Sequence, residues 1–591
     1  MRDAAPYLRP GATRRCRIAA LTFAAFCAVA AAATLARAGT DSVLVWDALR
    51  VVFILLTTAW LAWGAAQAFL GLRRLPPLPR MDPPDCAPPP VAILIPICNE
   101  DPAAVRARVQ AMRASVRAAG ISPDFIILSD TSGEAAVVRE QVMLSPLFDA
   151  RPGFPAVYYR NRTERYGRKA GNIEDFIRRS GGAYEHVVIL DADSLMEGET
   201  IAHMIARMEA DPGLGLLQTL PRITGASSIF GRAMQFAAGF HSAVFSRGLA
   251  RLQGATGPFW GHNAIVRVRA LSQCCGLPEL QGPPPFGGTI LSHDYVEAAL
   301  LARGGWRVEM DPRIGGSYEE GPENLLAFAR RDRRWCQGNL QHMRLLGAPG
   351  LKPWSRFVFV QGIVSYLVAL AWAAFLVVSF LAAMTAAQPD YFPEARQLFP
   401  VFPDDRTHQI AALVIGIGGL LLLPKLLILG EAVVTGRAGG HGGALRSAFS
   451  VLAETAMTAL IAPVMLMFQC RAVIEVLAGQ DGGWPATARG EGRLSLAQAW
   501  RATRWISLTG AGALISMRWV APDLLLWLLP VALPMIAAPV LIAATSRPWG
   551  RGLFVVPEEI ATPPVVAAYR EARHDAARDH EVSDVPLVPQ A

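Results

Sequence analysis

The sequence predicts an α/β domain with a mostly parallel sheet, set between two groups of transmembrane α-helices. Three observations carry this. Of 591 residues, 52% are hydrophobic and the mean hydropathy is +0.30, too apolar for an ordinary soluble enzyme. The apolar residues gather in long runs towards both ends, and none of spanning length lies between 71 and 356. Within that central stretch, short apolar segments alternate with helical ones, as in a parallel sheet covered on both faces.

The elements follow in order. Residues 1–17 form a short arm bearing Arg2, Arg9, Arg14, Arg15 and Arg17. Runs 18–36 and 51–70 are each about 20 residues, enough to span a bilayer. Arg73, Arg74 and Arg80 follow the second run, whereas the link between the two holds Asp41, Asp47 and only Arg50. The positive-inside rule then puts the arm and the domain 71–356 in the cytoplasm. After it, residues 357–545 hold further runs at 357–383, 409–430, 504–520 and 523–545. The segment 446–470 is apolar but carries Glu454 between two basic flanks, so it is expected to lie along the inner surface or re-enter rather than cross. Six crossings result, or seven if 446–470 crosses. The tail 546–591 is cytoplasmic, and its prolines and mixed charges predict that it is largely disordered.

In the central domain, Val91–Cys98 reads as a strand followed by Asn99, Glu100 and a helix opened by Pro102. Phe125–Asp130, Val157–Arg160 and Val187–Leu190 follow, then Leu214–Thr219 and Asn263–Val268. Three of the first four strands end in amide or acidic groups: Asn99/Glu100, Asp130, and Asp191 with Asp193. In an open α/β sheet that edge is the ligand crevice. Two carboxylates there suit a hard divalent ion that also takes phosphate oxygens, although capping or salt bridging would use the same residues. Gly167-Arg-Lys-Ala-Gly-Asn172 opens a helix whose free N–H groups and Lys169 would cradle a diphosphate. Asp294 stands before a helix, either as an N-cap or as a base for a hydroxyl nucleophile; His293 reads as structural. Segment 323–346 is an amphipathic helix for the membrane interface. Its Arg331, Arg334 and Trp335 read either as an anchor or as a diphosphate and sugar site.

Other classes fit less well. No Gly-x-Gly-x-x-Gly or Gly-x-x-x-x-Gly-Lys-Ser/Thr string occurs, which disfavours a dinucleotide enzyme and a P-loop ATPase. The net charge of +8 comes largely from arginines flanking the spans, with no basic-aromatic array for nucleic acid; anionic lipid and an anionic substrate fit better. The eight cysteines show no metal spacing. A transporter with a nucleotide-binding domain would carry more charge within its spans.

These pieces resemble, in order and over about 250 residues, the membrane-embedded branch of the inverting, metal-dependent family 2 glycosyltransferases. Longer strings are similar to the glucans biosynthesis glucosyltransferase H family: Gly167-Arg-Lys-Ala-Gly-Asn-Ile173, Trp260-Gly-His-Asn-Ala264, Pro285-Phe-Gly-Gly-Thr-Ile-Leu-Ser-His-Asp294, Gly316-Ser-Tyr-Glu-Glu320 and Arg331-Asp-Arg-Arg-Trp-Cys-Gln-Gly-Asn339. The resemblance implies a GT-A-type domain that builds the linear β-glucan backbone of osmoregulated periplasmic glucans from UDP-glucose. It places the protein in the bacterial inner membrane, passing the growing chain to the periplasm. It implies that Glu100 and Asp130 hold the uridine and Lys169 the diphosphate. Asp193, with Asp191, holds Mg²⁺ or Mn²⁺, Asp294 is the base, Trp335 lines the acceptor subsite, and Arg334 lies near the diphosphate. A periplasmic glucan-processing protein and acyl carrier protein are implied partners. Arg331 stands where processive synthases carry Gln. Another polymer synthase of the family, making a cellulose-like chain, is the nearest alternative.

Overall fold

The structure is a computed structural model, and it describes residues 8–39, 43–78, 89–149, 152–386, 391, 397–399, 406–482, 492–550 and 552–583. Ten strands occur in it: β1 (Val91–Ile97), β2 (Asp124–Ser129), β3 (Val157–Asn161), β4 (His186–Ile189), β5 (Leu195–Met196), β6 (Leu214–Gln218), β7 (Arg222–Thr224), β8 (Ala264–Arg267), β9 (Arg307–Met310) and β10 (Ser317–Glu320). The main sheet has the order β3-β2-β1-β4-β8-β6-β9. Every pairing is parallel except those of β8 with β4 and β6. Strands β5, β10 and β7 form a second, small sheet.

Alternation along β1 explains the layers. Ile93, Ile95 and Ile97 face one side and pack with Val105, Val109 and Met112 of helix Pro102–Ala118. Ala92 and Leu94 face the other, against Ile173 and Phe176 of helix Arg168–Ser180 and Leu301 of helix His293–Arg303. Phe359, at the start of helix Pro353–Thr385, belongs to this second layer, so the membrane-type helices pack directly on the domain.

Among the described residues, five helices are long and apolar enough to cross a membrane: Pro10–Arg37, Leu44–Leu72, Pro353–Thr385, Thr407–Val434 and Ala444–Leu477. The last contains 446–470, so by length and composition that segment is able to cross. Glu454, the acidic residue between its two basic flanks, is buried and accepts hydrogen bonds from Lys425 of the neighbouring helix (2.6 Å) and Thr458 (3.0 Å), so its charge is matched inside the bundle. The expected final hairpin falls on three α-helices. Residues 504–520 lie within helix Leu496–Val520, which is not among the five, and 523–545 divides into Leu525–Ile536 and Ala538–Thr545, bent by 55°. The arm is not separate from the first span, because the helix already begins at Pro10 and Arg17 within it stacks on Trp354, 3.7 Å from the ring centroid. Residues 1–7 of the arm lie outside the described residues.

The tail departs furthest from expectation. Pro564–Ser583 is a helix, and Val565, Val566 and Tyr569 on it are buried in the first core layer beside helix Pro102–Ala118. Those three positions make one apolar stripe along a helix, enough to dock an otherwise polar segment. Residues 584–591 lie outside the described residues. All described cysteines are free.

Candidate active site

Strand direction assembles the site. Strands β1, β2 and β4 run in parallel, so Asn99/Glu100, Asp130 and Asp191–Asp193 emerge at one edge. Strand β8 runs the other way and pairs Ala264 with Ile189 of β4, so its start meets that same edge. Gly261, His262 and Asn263, just before β8, therefore arrive beside Asp191. Glu319 comes from β10, which pairs antiparallel with β5 immediately after the Asp191–Asp193 turn.

The turn is held by a continuous set of hydrogen bonds. Ser194 closes it onto Asp191, its N–H donating to the Asp191 carbonyl and its Oγ accepting from the Asp191 N–H, both at 3.0 Å. Ser194 Oγ donates to Asn263 Oδ1, and Asn263 Nδ2 donates to Ser317 Oγ at 2.7 Å. Asn263 is fully buried with φ +52°, a conformation asparagine tolerates better than most residues.

Lys169 ties the two sides of the crevice together. Its Nζ forms an ion pair with Asp191 and donates to the Gly261 carbonyl at 2.7 Å. It sits at the start of helix Arg168–Ser180, which Gly167 enters in the left-handed region. Gly261 has φ +84°, and a Cβ there would lie 3.6 Å from the Asp294 carboxylate. Lys169, the acidic turn and Asp294 thus meet around one residue.

Asp294 is not an N-cap. The cap position is Ser292, and Asp294 lies inside the first turn of helix His293–Arg303. Burial pushes its carboxyl above the ordinary range, with Glu297 adding to the shift and protonated His293 opposing it. Helix Leu325–Gln341 is pressed against the same turn: a Cβ on Gly338 would stand 2.2 Å from Ser292 Oγ, so only glycine permits the approach. Gln341 Oε1 accepts from the Leu291 N–H at 2.9 Å, fixing the helix that carries Arg331, Arg334 and Trp335. The Arg331 guanidinium stacks on Trp335, 4.6 Å from the ring centroid, and feels the charges of Glu319 and Asp193. Trp335 is 44% exposed, with surface left for a ring to stack on. Arg334 is half-buried on the same helix.

Asp130 is placed differently from a free uridine acceptor. It is buried, Arg162 grips it with two bonds of 2.6 and 2.8 Å, and Asn172 donates a third at 3.0 Å. Its neighbour Thr131 accepts from the Asn99 N–H at 2.9 Å, which joins the loops carrying Glu100 and Asp130.

Two residues without an assigned role in the sequence reading belong to the site. His262 Nε2 lies 3.6 Å from Glu319 Oε2, and its Nδ1 lies 3.1 Å from Asn263 Oδ1. Burial alone would depress His262, but the carboxylates of Asp191 and Glu319 outweigh it and raise it; burial likewise raises Glu319, against the pull of His262. Among the described residues no three His, Cys, Asp or Glu side chains form a ready metal cage. The donor set of the turn nevertheless fits Mg²⁺ or Mn²⁺: two carboxylates at a half-exposed edge make a partial shell of hard oxygens that substrate phosphates would complete.

Fold and site together define a family 2 glycosyltransferase. Residues 92–275 match the model for glycosyl transferase family 2, and residues 186–421 match that for glycosyl transferase family group 2. The glucans biosynthesis glucosyltransferase H of Cereibacter sphaeroides is 53% identical over 93% of each chain. That of Caulobacter vibrioides NA1000 is 42% identical over 81% of this chain and 74% of its own. The chain belongs to the glucans biosynthesis glucosyltransferase H family. A mannosyltransferase from Pyrobaculum calidifontis, solved with GDP-Man and Mn²⁺, is similar to 74% of this chain over all of its own, at 16% identity and a TM-score of 0.44.

Proposed function

We propose that this protein transfers glucose from UDP-glucose to a growing linear β-glucan, inverting the anomeric carbon in a single displacement. The observation that carries the reading is the Gly261 junction, where Lys169 and Asp294 converge on one residue beside the acidic turn. Lys169 would release Asp191 and bind the diphosphate. Asp193, with Asp191, would hold Mg²⁺ or Mn²⁺, which supplies charge neutralisation for the leaving UDP. Asp294 accepts the proton of the acceptor hydroxyl; the burial that raises its carboxyl makes it a stronger base than a solvated aspartate. Glu100 and Asp130 form the uridine end, with Asp130 acting through its fixed place beneath the pocket. Attack from the face opposite UDP converts an α-linked donor into a β-linkage.

Position supports the export half of the reading. The Trp335 helix packs through Cys336 and Leu340 on Ile363 and Tyr366 of the membrane-type helix Pro353–Thr385. A chain leaving Trp335 would enter the helix bundle, consistent with a cytoplasmic domain in a bacterial inner membrane, a lipid surround and delivery to the periplasm. A periplasmic processing protein and acyl carrier protein remain partners by family resemblance.

The test is Trp335→Ala, assayed for donor hydrolysis and polymer formation in one preparation. Elongation is expected to fall about 5- to 150-fold, since losing an aromatic stacking platform costs on the order of 1–3 kcal/mol, while UDP-glucose binding and slow hydrolysis persist. Trp335→Tyr, which keeps an aromatic face, should retain much of the polymerisation. Polymer of normal amount and length from the alanine variant would make Trp335 a membrane anchor and move the acceptor site towards Trp260 and His262.

A further inference from the structure

The C-terminal helix reaches the catalytic turn through one buried arginine, and we propose that Arg108, clamped by that helix, positions the Asp191–Asp193 turn to bind its metal ion. This rests on the reading that the turn holds the ion. Arg108 lies on helix Pro102–Ala118 and is only 4% exposed. One terminal nitrogen donates to the carbonyl of Ala192 at 3.0 Å, the peptide group between the two carboxylates. The other donates to Glu320, the neighbour of Glu319 on β10.

The C-terminal helix Pro564–Ser583 supplies the other side of this clamp. The Tyr569 hydroxyl donates to Glu320 at 3.2 Å and accepts from Arg573 at 2.9 Å, and the Arg108 guanidinium lies 4.8 Å from the Tyr569 ring centroid. The helix is firmly placed. Val565, Val566 and Tyr569 are buried in the same core layer as Leu190 and Ala192, and the preceding segment is tied by Glu558 to Arg222 (2.6 Å) and by Glu559 to Arg232.

One cation therefore spans the Asp191–Asp193 turn, the strand beside it and helix Pro564–Ser583. Ser194 and Lys169 hold the Asp191 end of the turn, and Arg108 holds the Ala192 carbonyl. Without that donor, the Ala192–Asp193 peptide can rotate, and the Asp193 carboxylate turns with it relative to Asp191. A group that merely filled space would affect folding and leave metal affinity alone. Arg108 touches neither substrate nor ion, so it is a positioning residue, comparable in effect to the outer partners that orient metal ligands.

The test uses the full-length protein in detergent, with Mn²⁺ alone as the probe. Free Mn²⁺ is measured by electron paramagnetic resonance, and amide hydrogen exchange is followed at residues 191–196. Arg108→Met is expected to weaken Mn²⁺ about tenfold, the lower end of the range for such partners, and to speed exchange at 191–196. Tyr569→Phe keeps the ring in the core, removes only the hydroxyl, and is expected to shift both readouts in the same direction by about threefold. It carries the test alone if Arg108→Met does not fold. At saturating metal, both variants should recover most of the wild-type kcat. Wild-type Mn²⁺ affinity and wild-type exchange in the folded variants would overturn the proposal. If the wild type itself binds no Mn²⁺, the metal assignment fails separately; faster exchange at 191–196 in the variants would still show that Arg108 holds the turn, and unchanged exchange would show that it does not.

Discussion

Replacing Asp193 with alanine is expected to lower glucosyl transfer roughly 10³-fold or more and to weaken UDP binding in the presence of Mg²⁺. A bound ion acting on a leaving diphosphate is worth several kcal/mol, and each 1.36 kcal/mol is about tenfold in rate. The fold should survive the change. Asp193 is half-exposed in a turn, and the strand beneath it, with Val187, Val188, Ile189 and Leu190, is buried on its own account. Isothermal titration with UDP, with and without Mg²⁺, checks the binding half and rate assays the other. Full activity of the variant, or equal wild-type activity in EDTA, would remove the metal from the mechanism.

The second large effect belongs to Asp294. Asparagine keeps the shape and the first-turn hydrogen bonding but cannot take a proton, so kcat is expected to fall roughly 10²-fold or more with donor affinity nearly unchanged. The pH dependence follows from the direction of the shift. Burial raises the Asp294 carboxyl above its usual value. A base must be ionised, so activity should rise as pH increases through that elevated value, giving an acid limb above the usual carboxylate range. The residual rate of the Asn variant should lack this limb. Loss of donor binding with an unchanged rate per bound donor would instead make Asp294 a structural residue.

Much of this was legible in the chain because buried strands announce themselves. The apolar runs ending at Cys98, Ser129 and Leu190 gave β1, β2 and β4, and their parallel order put Glu100, Asp130, Asp191 and Asp193 on one edge. What escaped depended on direction or on distant partners. His262 enters the site because β8 runs antiparallel, and no local pattern in Ala264–Arg267 encodes its direction. Glu319 enters through the short strand β10, whose pairing with β5 crosses more than a hundred residues of chain. Segment 446–470 was set along the inner surface from its basic flanks and Glu454, and the residue that matches Glu454, Lys425, lies 29 residues away on another helix. The C-terminal helix was hidden by its composition: the stripe of Val565, Val566 and Tyr569 is short, and only a waiting face on the domain makes it a docking surface. Asp130 was legible as the end of its strand, but the grip of Arg162 and Asn172 on it depends on the fold around it.

The most direct measurement is transfer by the purified, detergent-solubilised wild type from radiolabelled UDP-glucose, with methylation analysis and anomeric NMR of the polymer. A linear β-glucan formed only with divalent metal, with UDP released in equal amount, is the expected result. An α-linked product would contradict single displacement and with it the role of Asp294, and failure to use UDP-glucose where another nucleotide sugar is used would contradict the donor.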